Sequence, residues 1–222
     1  MKSVPVALRP AVGAAVDYSA QLHFVADLLA RATIIVLFSM MAVRFATDFF
    51  ETGRITGLFL LLSEALVVVL TLVRRSARAV DRSFRARVFT IVSVLGPPLL
   101  APGAVAALAP EAVTVALSCA GLAVVIAGKV TLGRSFALLP ANRGVVSSGL
   151  YRIVRHPIYM GYLVTHAAFL VASPTLWNIA ALLVADGALL ARAVCEEQTL
   201  AKDPSYRDYQ TRVRWRVVPG LF

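Results

Sequence analysis

Two short runs in the C-terminal part of the chain carry residue types that could do chemistry at a useful spacing. The first is Arg155-His156-Pro157, with Tyr159 and Gly161 close behind. A proline that begins a helix leaves the guanidinium and the imidazole beside exposed first-turn N–H groups. Those groups and the helix dipole favour an anion there, such as a carboxylate. Gly161 would permit close approach by a ligand or another helix. The plainer alternative is an interfacial helix start, with an arginine that sets topology and a tyrosine in the aromatic belt.

The second run is Arg192-x-x-x-Glu196-Glu197, at the end of an apolar stretch. Carboxylates are badly placed at a helix C-terminus and next to anionic headgroups, so an adjacent pair invites a cation. A ligand ammonium or sulfonium would serve. So would Arg192, one turn before Glu196, together with the basic tail. Beyond it Tyr206, Tyr209 and Trp215 alternate with arginines, as in an amphipathic segment lying on a bilayer. Ionisable residues also fall inside apolar stretches, where they are functional suspects: Asp27, Arg31, Glu64, His166 and Asp186. Glu64 is placed to pair with Arg31 across antiparallel neighbours or to line a channel. His166 and Asp186 sit on the two arms of one helix pair and either line a pocket or face another helix.

The elements that must position these residues are apolar helices. The 222 residues are 59% hydrophobic and 15% charged, against roughly half and a quarter in a soluble domain. The apolar residues fall in blocks of about twenty, the length that crosses ~30 Å of hydrocarbon, and they do not alternate as in a β-barrel. The expectation is an all-α, polytopic integral membrane protein with six spans, at about 24–46, 57–73, 88–108, 111–131, 157–172 and 176–194. Gly96-Pro97-Pro98 and Pro102 predict a kinked or broken third span. Ser173-Pro174 makes the last two spans a helical hairpin.

Basic residues collect in alternate loops: Arg74, Arg75, Arg78, Arg82, Arg85 and Arg87; then Arg134, Arg143, Arg152 and Arg155; then Lys202, Arg207, Arg212, Arg214 and Arg216. With six spans these loops and both termini share one side, which the positive-inside rule makes cytoplasmic. The net charge of +10 is thereby assigned to topology and anionic lipid, and no nucleic-acid partner is expected. Cys119 and Cys195 show no metal or disulfide spacing, and no metal is expected. Residues 1–23 hold Pro5, Pro10, Asp17 and His23 and do not read as a cleavable signal. No GxGxxG or Walker loop occurs. Two regions follow: residues 1–131, the N-terminal helices, and residues 132–222, the core that carries both chemical runs.

The order GLYRIVRHPIYMGYL, an apolar hairpin, R-x-x-x-E-E-x-x-L, Y-x-x-Y and V-x-W-R-x-x-P resembles the isoprenylcysteine carboxyl methyltransferase and phospholipid methyltransferase superfamily. The resemblance covers residues 132–219, about the last 40% of the chain. It implies a core that binds S-adenosylmethionine without a Rossmann fold and methylates a lipophilic or membrane-dissolved acceptor at the cytoplasmic face. It further implies that Arg155, His156, Tyr159, Gly161, Glu196 and Glu197 form the cofactor site, the two glutamates holding the methionyl ammonium. Arg192 and Glu196 are the implied catalytic residues, and either Arg155 or Arg192 lies nearer the acceptor. Acceptor specificity would reside in residues 1–131, which show no family motif.

A carboxylate acceptor needs no base, whereas an amine or thiol must lose a proton. The candidate bases are few: His156, His166, Glu196, Glu197, Glu64 and Asp186. That scarcity leans toward acceptors needing little base catalysis. Two rival classes are an NAD(P)H-dependent reductase of sterol-reductase type, which shares a Gly-x-x-x-x-x-Arg-His pattern, and a non-enzymatic scaffold or transporter. The Pro157 and Glu196-Glu197 features favour the methyltransferase version over the reductase. The absence of paired short spans in matching halves speaks against a transporter.

Overall fold

The computed structural model describes residues 18–73, 79–80, 83–103, 105–132, 141–142 and 145–222. The described elements are α1 (Tyr18–Thr52), α2 (Thr56–Val73), β1 (Ala79–Val80), α3 (Phe84–Leu95), α4 (Glu111–Leu132), β2 (Ala141–Asn142), α5 (Pro157–Ala172), α6 (Leu176–Leu200) and α7 (Pro204–Arg212). Strands β1 and β2 form one two-residue antiparallel pair, and the architecture is otherwise helical. The chain divides into two compact units at Val36. The first is described as the α1 backbone from Tyr18 with a few exposed side chains. The second, Leu37–Phe222, holds everything below. The side chains of Asp27 and Arg31 lie outside the described residues, as do Arg74, Arg75, Arg78, Arg82, Arg134 and Arg143.

Helices α4 and α6 are each long and apolar enough to cross a membrane, at 22 and 25 residues. At a rise of ~1.5 Å per residue each exceeds the ~30 Å of a hydrocarbon core. Their outer faces are apolar, with Val130 75% and Leu183 70% exposed. Helix α5 spans Pro157–Ala172, starting on a proline that its first turn tolerates and stopping before Ser173-Pro174. Thr175 then caps α6 by accepting from the Asn178 amide. Helix α6 runs on to Leu200, past the expected end at Val194, so Glu196 and Glu197 are helical.

Connection and packing part company in the terminal hairpin. Helices α5 and α6 are joined by three residues, yet α5 packs chiefly along α4 and α6 along α3. Glycines set the first pairing. A Cβ on Gly161 would stand 2.7 Å from the Gly121 carbonyl, and one on Gly121 2.9 Å from that of Gly161. The two backbones meet where neither helix carries a side chain, the means by which membrane helices approach closely. At the second pairing Gly96 lies against Ala185, where a Cβ would fall 2.2 Å from the alanine methyl.

The third expected span is broken. Helix α3 ends at Leu95, Pro97–Leu99 form a single 3-10 turn, and the described residues from Leu100 to Pro110 are irregular. Prolines at 97, 98 and 102 cannot donate to a helical ladder, and the groups left over find side-chain partners. Arg44 donates to the Pro98 carbonyl, and Trp177 Nε1 to that of Leu99 at 2.8 Å. Fully buried Asn178 donates to the Ala101 carbonyl at 2.8 Å and accepts from its amide at 3.2 Å. Irregular backbone persists away from water only when satisfied in this way. Glu64 sits in an unbroken α2.

Candidate functional site

The C-terminal ends of α4 and α6 and the N-terminal end of α5 converge on one cleft. Leu132, His156 and Glu196 line it from those three positions. The chain's last segment is drawn against the start of α5. The Arg155 amide donates to the Trp215 carbonyl at 2.9 Å, and the His156 amide to that of Arg216 at 2.7 Å. Val154 pairs with Trp215 in a parallel bridge. The run at Arg155-His156 and the chain after α7 are therefore hydrogen-bonded to each other.

Helix α7 closes the cleft. Asp203 caps it, Pro204 begins it, and Tyr206 and Tyr209 lie on one face at i, i+3. Both are buried with Tyr151 and Val213, and the Tyr209 hydroxyl donates to the Tyr151 carbonyl at 2.7 Å. This corrects the reading of residues 206–215 as a segment lying on the bilayer: the tyrosines face inward. Only Trp215 keeps a partly open position, with the Arg214 guanidinium 5.1 Å from its ring centroid. Burial pushes the Tyr209 phenol up to about 12. Tyr151 and Tyr206 are raised as well, again mainly by burial. All three present neutral aromatic faces at ordinary pH.

The two adjacent glutamates have different surroundings. Glu197 is buried, and Arg155 grips it through Nε on Oε1 at 2.7 Å and Nη2 on Oε2 at 3.3 Å. His156 Nε2 lies 3.3 Å from Oε1, and Arg216 Nε donates to Oε2 at 2.8 Å. Gln210 Nε2 adds a contact at 3.4 Å, while Arg155 Nη1 also donates to the Val213 carbonyl at 3.1 Å. A carboxylate has about four lone-pair sites, and here they are occupied by the protein itself. Glu197 thus ties α6 to the start of α5, to α7 and to the C-terminal segment. Glu196 instead lines the cleft and accepts from the Tyr159 hydroxyl at 2.8 Å. The His156 ring stacks on Tyr159 at 5.2 Å between centroids.

Some 600 Å³ of space, counting what is open to solvent, lies among these side chains. One wall is apolar (Val145, Val146, Ile158, Leu200), one is aromatic (Tyr151, Tyr206, Tyr209), and Arg155, His156 and Glu196 supply the polar groups. The combination suits a ligand with a flat ring at one end and a zwitterionic group at the other. Of the expected site residues, Arg155, His156, Tyr159 and Glu196 share the cleft and Glu197 stands behind it. Gly161 is elsewhere, at the α4–α5 crossing, where a Cβ would also come 2.6 Å from Val125. Arg192 is buried with its guanidinium carbon 5.4 Å from the Tyr159 ring centroid, and it lines a second cavity that shares Ile158 and Tyr159 with the cleft. Tyr151, Tyr206, Tyr209 and Arg216 join the site without having been expected there. The signal for Tyr206, Tyr209 and Arg216 was the Y-x-x-Y and W-R pattern, whose inward face no local rule reveals, and Tyr151 stood in the GLYR run. Among the described residues no cluster of three or more potential metal ligands occurs.

Residues 112–202 match the isoprenylcysteine carboxyl methyltransferase (ICMT) family. The matched stretch runs from α4 to just beyond α6 and contains His156, Tyr159, Arg192, Glu196 and Glu197. It leaves α1–α3 and the C-terminal segment unmatched. No curated protein matches the chain.

Proposed function

We propose that this chain is an S-adenosylmethionine-dependent methyltransferase that works at the cytoplasmic face of a membrane on a lipophilic acceptor. The observation that carries the reading is Glu196, a carboxylate facing an aromatic-walled cleft inside the stretch that matches a methyltransferase family. In this reading Glu196 receives the methionyl ammonium. His156 and Arg155, at the first turn of α5, stand where the ligand carboxylate would be drawn. Tyr151, Tyr206 and Tyr209 offer faces for the adenine. Glu197 holds Arg155, His156 and Arg216 in register and so acts as a positioning residue. The bound donor supplies a methyl group already activated by its sulfonium. The protein's own work is alignment and exclusion of water, which Tyr159 serves as the wall between donor cleft and second cavity.

The same reading takes the chain through the membrane six times, with α3 and the irregular stretch after it as one broken crossing. The arginine-rich loops then lie in the cytoplasm. The side-chain partners of Pro98, Leu99 and Ala101 support a non-helical passage at depth.

Calorimetry on detergent-purified protein tests the proposal, with S-adenosylhomocysteine and NADPH titrated separately. Binding of the adenosyl ligand is the expected result. Binding of the dinucleotide alone would replace the methyltransferase reading with the reductase one.

A further inference from the structure

The residues after α7 fold back on themselves, in a stretch that lies beyond the family match ending at residue 202. Pro219 and Gly220 make the reversal. Gly220 stands at φ +83°, and the Leu221 amide donates to the Val218 carbonyl at 3.1 Å. Proline at the second position and a positive φ at the third are the marks of a type II turn. The turn brings Phe222 back beside Arg216, where its main-chain oxygen accepts from three successive amides. These are Arg216 at 3.0 Å, Val217 at 2.9 Å and Val218 at 3.1 Å. Consecutive N–H groups converging on one oxygen form a nest, which fixes the backbone that carries Arg216. The Phe222 ring centroid lies 5.1 Å from the Arg216 guanidinium carbon, and the ring packs at the edge of the core around Ile158, Tyr159 and Val217.

Arg216 needs such a hold. Its side chain is 37% exposed, against 9% for Arg155, although both grip the Glu197 carboxylate. A long, half-open side chain loses much rotamer freedom to keep one hydrogen bond, here 2.8 Å to Glu197 Oε2. A ring face against the guanidinium offsets that loss by favouring one orientation. The Arg216 carbonyl meanwhile accepts from the His156 amide at 2.7 Å. Arg216 thus supports the polar groups of the cleft twice, by side chain through Glu197 and by backbone through His156. Phe222 itself lies outside the cleft lining. We propose that Phe222 is a positioning residue for the donor. Its ring and main-chain oxygen hold Arg216, and Arg216 holds Glu197 and the Arg155-His156 run in the geometry that receives the ligand. The proposal rests on the methyltransferase reading above.

Calorimetry with S-adenosylhomocysteine, in detergent and well below each thermal midpoint, tests it. Phe222→Leu keeps the apolar bulk but loses the ring face, and should bind about two- to fivefold more weakly. Phe222→Tyr keeps the face and should bind as the parent does. In an Arg216→Met background Phe222→Leu should change affinity no further, an outcome that general loosening of the fold would not give. Gly220 has open space around it, so Gly220→Ala adds strain at the positive φ without a clash. It should weaken binding while leaving both side chains in place. Parent-like affinity in Phe222→Leu overturns the proposal. If that variant fails to fold, Gly220→Ala decides, and parent-like affinity there is the overturning result. A loss of the same size with Arg216 already replaced also overturns it, since Phe222 would then act by packing alone. Parent protein that binds no S-adenosylhomocysteine removes instead the reading beneath, and this proposal with it.

Discussion

Arg155 and Glu197, 42 residues apart in the chain, meet in a two-point ion pair whose Nε–Oε1 distance is 2.7 Å. Both side chains are nearly buried, at 9% and 5% exposure. The pair joins the first turn of α5 to the end of α6, and through Arg216 it also anchors the C-terminal segment. Glu197, one of the two glutamates expected to hold a ligand's ammonium, is here bound by cations of the chain itself.

Removing one partner should expose that role. Glu197→Ala leaves two guanidiniums and an imidazole without their carboxylate, a change that costs ~3–5 kcal/mol in buried pairs. We expect a correspondingly lower thermal midpoint in detergent. Arg155→Ala should be similarly destabilised, and the double variant less so than the sum of the two, since the second removal takes away a charge already stranded.

Glu196→Gln should behave differently. It accepts from the Tyr159 hydroxyl, and a glutamine can keep that bond. The fold should survive, while S-adenosylhomocysteine binds about tenfold to a hundredfold more weakly, the effect of losing a charged contact worth ~1.5–3 kcal/mol. Calorimetry of this variant beside Glu197→Gln separates ligand contact from scaffold.

Gly161→Ala tests packing against a ligand role. The added methyl would press on the Gly121 carbonyl and on Val125, forcing α4 and α5 apart at ~1–3 kcal/mol. The expected result is a lowered thermal midpoint, shared by Gly121→Ala. Ligand affinity measured well below the transition should stay within a few-fold of the parent. A large affinity loss with unchanged stability would return Gly161 to the cofactor site.

The buried tyrosines predict an alkaline limit. Tyr209, raised to about 12 by burial, stays protonated in the folded chain where an unfolded phenol, near ~10, would ionise. The folded state then binds more protons, so its stability is full below about pH 10 and declines as pH rises through 12. Tyr151 and Tyr206 push the same way. Urea midpoints between pH 8 and 12 should fall, and Tyr209→Phe should flatten part of that fall. At neutral pH it should lose ~1 kcal/mol with its bond to the Tyr151 carbonyl.

The sequence by itself determined the helical class, the bounds of α5 and the break after α3, because each follows from local chemistry. Apolar blocks set helix length, Pro157 opens a helix, and Gly96-Pro97-Pro98 cannot continue one. The same local rules brought Arg155-His156 and Glu196-Glu197 forward as two runs, and the family resemblance joined them as one site. Tertiary structure decided which glutamate faces the cleft, that α5 packs on α4 despite its short tether to α6, and that Tyr206 and Tyr209 turn inward. It also decided that His166 meets Asp186 and approaches Glu64. Each of these depends on how helices rotate and cross, and therefore on contacts such as Gly121 with Gly161 that lie 40 residues apart in the sequence. Adjacent residues on a helix point about 100° apart, so Glu196 and Glu197 had to part ways, and only the packed neighbours could say which went where.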